Sequence, residues 1–125
     1  MKNMLDESKP IFLQIKEQIE DQIINDSLKP DDRVPSTNEL AAYYKINPAT
    51  AAKGINELVA ESILMKRRGV GMFVTEDAKD ILIEKRKESF YQNYVLPLKE
   101  EAGKLYISKT ELLEMVERED EPNEN

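Results

Sequence analysis

Apolar residues recur at Ile11, Phe12, Ile15, Ile19 and Ile23, with Lys16, Glu17, Glu20 and Asp21 on the opposite face. That spacing predicts an amphipathic helix beginning after Pro10. Asp26, Pro30, Asp31, Asp32 and Pro35 then end the period in a turn-rich connection. Ser36-Thr37-Asn38-Glu39 reads as a capping box, the serine accepting from the third helical N–H and the glutamate reaching back. It opens a short helix carrying Leu40, Ala41 and Tyr44. A third helix starts at Asn47-Pro48, an asparagine cap before a proline whose missing N–H costs nothing there. Its inward face reads Ala51, Gly54, Ile55 and Leu58. Glycine costs about 1 kcal/mol inside a helix, so Gly54 predicts the close approach of another helix.

After Ser62 the pattern shortens. Ile63-Leu64-Met65-Lys66 and Gly71-Met72-Phe73-Val74 are strand-like runs around Arg67-Arg68-Gly69-Val70, a hairpin with a basic tip. From Glu76 onward the pattern is helical. Ile83, Phe90, Tyr94, Leu98, Ala102 and Leu105 fall on one stripe, which Pro97 should kink or break near Val95. Ser108-Lys109-Thr110-Glu111 is a second capping box, followed by Leu112, Leu113 and Val116 on one apolar face. The acidic end, residues 119–125, is expected to fray. These elements predict a mainly α fold with a small β-wing. A winged helix-turn-helix domain would span 1–75, and a helical dimerisation region 76–125. The C-terminal helices cannot bury their stripe alone, so they either fold back or pair with a second copy; pairing suits a protein that reads symmetric sites.

Composition narrows the function. Among 125 residues there is no cysteine and no histidine, so thiol nucleophiles, thiolate metal sites and imidazole bases are excluded. No Asp/Glu pair lies beside a Gly-rich loop, so neither an enzyme, a metal nor a cofactor is expected. The opening residues lack the apolar core of a signal peptide, and no stretch of about 18 apolar residues occurs. The expectation is a cytoplasmic protein without a membrane partner. The net charge of −7 opposes nucleic acid at first sight. Its distribution reverses that: residues 76–125 carry a net −6, whereas Lys45 to Thr75 holds five bases against two acids.

PIFLQIKEQIEDQII, LKPDDRVPSTNELAAYY, INPATAAKGINELV and ILMKRRGVGMFV, in that order, resemble the DNA-binding domain of GntR-family transcriptional regulators. VLPLKEEAGKLYISKTELLEMV resembles the YtrA-type branch, which has a small dimerisation appendage in place of a large effector domain. The resemblance implies a homodimeric repressor on a palindromic operator of double-stranded DNA. The chain departs from the family's usual arginine at Asn38, its serine-arginine pair at Asn47-Pro48, and its glycines at Asp26, Asp31 and Ser62. The operators of better-known relatives therefore do not carry over.

In a helix-turn-helix the early residues of the second helix face the major groove. Here those are Asn47, Ala49, Thr50 and Lys53, with Ala52 beside them. Thr50 suits a phosphate or a thymine methyl, and Lys53 a phosphate or guanine. Ser36, Thr37 and Asn38 lie at a helix N-terminus that favours phosphate, although capping alone accounts for Ser36. Arg67, Arg68 and Gly69 form a wing tip suited to the minor groove. Ile83, Phe90, Tyr94, Leu98 and Leu105 are the expected dimer contacts. Phe90, Tyr91 and Tyr94 as a ligand-pocket lining is the less favoured reading, because helical apolar periodicity usually means packing. About 50 helical residues leave little room for an effector pocket of the usual 300 Å³ or more, and the sequence identifies no effector. The competing function is a winged-helix module that binds protein and not DNA.

Overall fold

The computed structural model describes residues 5–120, and within them the elements follow in the order helix, strand, two helices, hairpin and C-terminal helices. Helix α1 is Ile11–Ile24. Strand β1, only Arg33–Val34, precedes α2 (Thr37–Tyr44) and α3 (Pro48–Ala60). Strands β2 (Leu64–Arg67) and β3 (Gly71–Val74) form the hairpin. Then come α4 (Ala78–Phe90), a π-helical turn (Tyr91–Val95), α5 (Leu96–Lys104) and α6 (Lys109–Glu117). By internal contacts the chain divides into two units, 1–85 and 86–125. The part of the acidic end from 121 on lies outside the described residues.

In the first unit the caps form as the sequence requires. Ser36 Oγ accepts from Glu39 N–H at 3.0 Å while Glu39 Oε1 accepts from Ser36 N–H at 2.9 Å. Asn47 Oδ1 accepts from Ala49 N–H at 2.8 Å, with Pro48 first in α3. The α2–α3 turn passes through Lys45 in the left-handed region, φ 57°. Ile15, Ile19 and Ile23 of α1 share a core with Ile55 and Leu58 of α3, Val34, Leu64 and Val74 of the strands, and Ala78 and Leu82 of α4. Gly54 permits the α1–α3 contact: a Cβ there would stand 2.8 Å from the Phe12 carbonyl oxygen.

Two features depart from the sequence pattern. The hairpin becomes a three-stranded antiparallel sheet in the order β1-β3-β2, because Arg33 pairs with Phe73 and Val34 with Met72. A two-residue strand has no period to announce it. Lys16 and Glu20, assigned to the polar face of the first helix, are buried. They belong to an ion cluster in which Lys16 Nζ lies 3.2 Å from Glu57 and 2.6 Å from Glu61. Lys85 Nζ lies 3.1 Å from both Glu61 and Glu20. Burial alone would lower the Lys16 pKa, but the Glu61 and Glu57 hydrogen bonds outweigh it and hold it above the ordinary lysine value.

Within the second unit, Pro97 does not break the helix. Leu96 N–H instead bonds back to Tyr91 O, one residue further than in an α-helix, and the backbone remains helical at Val95 and Leu96. Proline cannot donate to the carbonyl four residues earlier and its ring crowds it; widening the preceding turn accommodates both effects. Ser108 Oγ caps α6 by accepting from Glu111 N–H at 3.1 Å.

Candidate nucleic-acid interface

Helix α3 divides cleanly between two faces. Ala51, Gly54, Ile55 and Leu58 are buried, whereas Asn47, Ala49 and Lys53 are exposed and Thr50 is half-buried. Ala49, Thr50 and Lys53, spaced i, i+1 and i+4, lie on one side of the helix. The Lys53 ammonium sits 4.0 Å from the centre of the Phe12 ring, which restrains an otherwise mobile charge.

At the start of α2, Thr37 is half-buried and Asn38 exposed. Ser36 is committed to its cap. The Glu39 carboxylate also occupies this end, its pKa lowered by the Ser36 backbone N–H, then the Ser36 side chain and Arg33. The cap is thus carried by Ser36 and Glu39, and Thr37 and Asn38 take no part in it.

The wing is where the structure revises the sequence reading most. Arg67 lies in β2 opposite Gly71, and the exposed tip is Arg68, Gly69 and Val70. Val70 N–H closes the turn on Arg67 O at 2.9 Å, with Gly69 at φ 77°, a value costly for any residue with a Cβ. The Arg67 guanidinium is turned back: Nη2 lies 2.7 Å from Asp31 Oδ1, and the group stacks 4.2 Å from the Phe73 ring centre. Sequence reasoning passed over Arg33, because it stands in the turn-rich connection. Its Nε donates to Val70 O at 3.5 Å and its Nη2 lies 3.5 Å from Glu39 Oε1. A Cβ at Gly71 would meet Arg33 Nε at 2.9 Å, so the glycine leaves room for the guanidinium.

The first unit thus brings together Asn47, Ala49, Thr50 and Lys53 on α3, and separately Arg67, Arg68 and Gly69 on the wing. Of the stripe residues, Ile83 is half-buried in the first unit, and Phe90, Tyr94, Leu98 and Leu105 of the second are exposed in the single chain. The Phe90 and Tyr94 rings lie 5.5 Å apart. Among the described residues there is no group of three metal-ligating side chains, and no helix is long and apolar enough to cross a membrane.

Comparison with known proteins places this arrangement. The family described as "Bacterial regulatory proteins, gntR family" matches residues 12–74. YhcF of Bacillus subtilis, an uncharacterized HTH-type transcriptional regulator, is 36% identical over 91% of this chain and 93% of its own length. The HTH-type transcriptional repressor YtrA of the same organism is 39% identical over 62% of this chain, a match spanning 59% of YtrA. A GntR family transcriptional regulator from Listeria monocytogenes superposes with a TM-score of 0.75 at 29% identity, over 93% of this chain and all of that one. AraR(DBD) in complex with operator ORX1 superposes with a TM-score of 0.52 at 32% identity, over 60% of this chain and 92% of that one. The chain belongs to the gntR family of bacterial regulatory proteins: it is a winged-helix transcriptional regulator.

Proposed function

We propose that the chain is a homodimeric repressor of the YtrA-type branch, acting in the cytoplasm on a palindromic operator in double-stranded DNA. Residues 1–75 carry the reader and 76–125 the dimerisation region. In each subunit Asn47, Ala49, Thr50 and Lys53 enter a major groove, Ser36, Thr37 and Asn38 approach the backbone, and Arg67, Arg68 and Gly69 lie along the neighbouring minor groove. Ile83, Phe90, Tyr94, Leu98 and Leu105 join the two copies. The observation that carries this reading is the two-faced α3, with its inner side sealed against α1 and its outer side bearing small and cationic residues. The operator-bound AraR domain and the repressor YtrA support it by likeness.

Salt titration of DNA binding tests the proposal. If Lys45, Lys53, Arg67 and Arg68 of both subunits approach the duplex, about six to eight phosphates are neutralised and log K against log salt falls with a slope of roughly −5 to −7. The acidic residues beyond about 8–10 Å are largely screened at physiological ionic strength and do not cancel this. The net charge of −7 favours the rival, a protein-binding winged helix. A slope shallower than about −2 decides for the rival on the same scale.

A further inference from the structure

We propose that Asp31 competes with DNA for the Arg67 guanidinium, so that the free protein holds this arginine in an internal ion pair which binding must exchange for a phosphate. The inference rests on the DNA-binding reading above. The pair is close, 2.7 Å, yet open to solvent, with the Asp31 and Arg67 side chains 67% and 44% exposed. Exposed pairs of this kind contribute little stability and exchange partners at low cost. The guanidinium is already positioned by Phe73, 4.2 Å from the ring centre, so exchange needs a change of ionic partner and no refolding of the wing. Asp31 is itself held in place. It adopts φ 70°, a region that disfavours side chains other than Asn and Asp, and its N–H donates to Val74 O at 2.9 Å at the end of the sheet. A carboxylate on a held backbone therefore faces an arginine packed on a ring, next to the exposed turn at Arg68 and Gly69. A phosphodiester carries the same single charge as Asp31 and can accept two parallel guanidinium N–H bonds, where Asp31 accepts one from Nη2. Asp31 then sets the overall affinity of the wing and not its sequence preference, since the ion pair is broken whichever bases lie beneath.

The test is a double-mutant cycle in the full-length chain, with a mixed-sequence duplex as the probe. Asn at position 31 keeps the left-handed backbone, and Gln at 67 keeps the aliphatic stem over Phe73. Asp31→Asn is expected to tighten binding about two- to fivefold, the range of an exposed ion pair. Arg67→Gln is expected to lose more affinity in the Asp31→Asn background than in the native one, by a similar factor, because only the native arginine must first leave a partner. An equal or smaller loss in the Asp31→Asn background, or weaker binding by Asp31→Asn alone, overturns the exchange: Asp31 would then position Arg67 or be irrelevant to it. In either case salt-dependent binding by the native chain leaves the DNA reading intact. Absence of any binding by the native chain overturns both.

Discussion

Gly54 stands where any other residue would place a carbon 2.8 Å from the Phe12 carbonyl oxygen. Gly54→Ala gains about 1 kcal/mol of helix propensity, yet it must push α1 from α3, and overpacking of this kind costs about 1–3 kcal/mol. Urea unfolding should show a net loss of stability. Ser62 presents the opposite case, at φ 64° after α3, where a side chain is strained. Ser62→Gly should stabilise the chain by about 0.5–1 kcal/mol, the left-handed strain relieved less the backbone entropy that glycine loses. Asp26, Asp31 and Ser62, at φ 64–70°, were the positions where the family resemblance pointed to glycine, so this backbone requirement was legible. The destination of Arg67 was not, because an ion pair across 36 residues leaves no local pattern. Glu61 gives a pH prediction. Burial opposes its charge, but hydrogen bonds from Lys16 and Lys85 outweigh that and lower its pKa below the ordinary carboxylate value. Its contribution is therefore complete above the unfolded pKa and is lost as pH falls through the depressed folded one. Tm should hold near neutrality and drop in acid, and Glu61→Gln should flatten that acid limb.

Among the elements, α4 has the most divided surroundings. Ala78 and Leu82 are fully buried with the first unit's core, whereas Phe90 at the other end is exposed. Leu82→Ala should cost about 2–5 kcal/mol, as for other buried leucines, and lower the unfolding midpoint as strongly as a substitution within α1. A fragment ending at residue 75 should likewise be less stable than one that includes the first two turns of α4. The three N-terminal helices and the hairpin were legible because their apolar spacing and caps are local. Strand β1 was not, since its two residues earn their place only by pairing with Met72 and Phe73. Pro97 marked the right segment: a kink or a break near Val95 was expected, and the helix does not break but widens through the bond from Leu96 to Tyr91.

For the molecule as a whole, the exposed Phe90, Tyr94, Leu98 and Leu105 exceed what scattered surface residues require, and the dimer proposed here would cover them. Phe90→Asp and Tyr94→Asp should each give a monomer in sedimentation experiments, because an unpaired buried charge costs several kcal/mol. DNA affinity should fall in step, as one subunit loses the second half-site. An intact dimer in both variants removes the stripe from the interface. The two-sidedness of α3 bears also on descent. Its inner residues are fixed by contact with α1, while Ala49 and Lys53 are exposed, Lys53 with its ammonium over the half-buried Phe12 ring. Substitutions at such surface positions usually change stability by no more than about 0.5 kcal/mol. Under the DNA contacts proposed above, one copy of a duplicated gene can therefore drift to a new target through these positions while both copies keep the same fold.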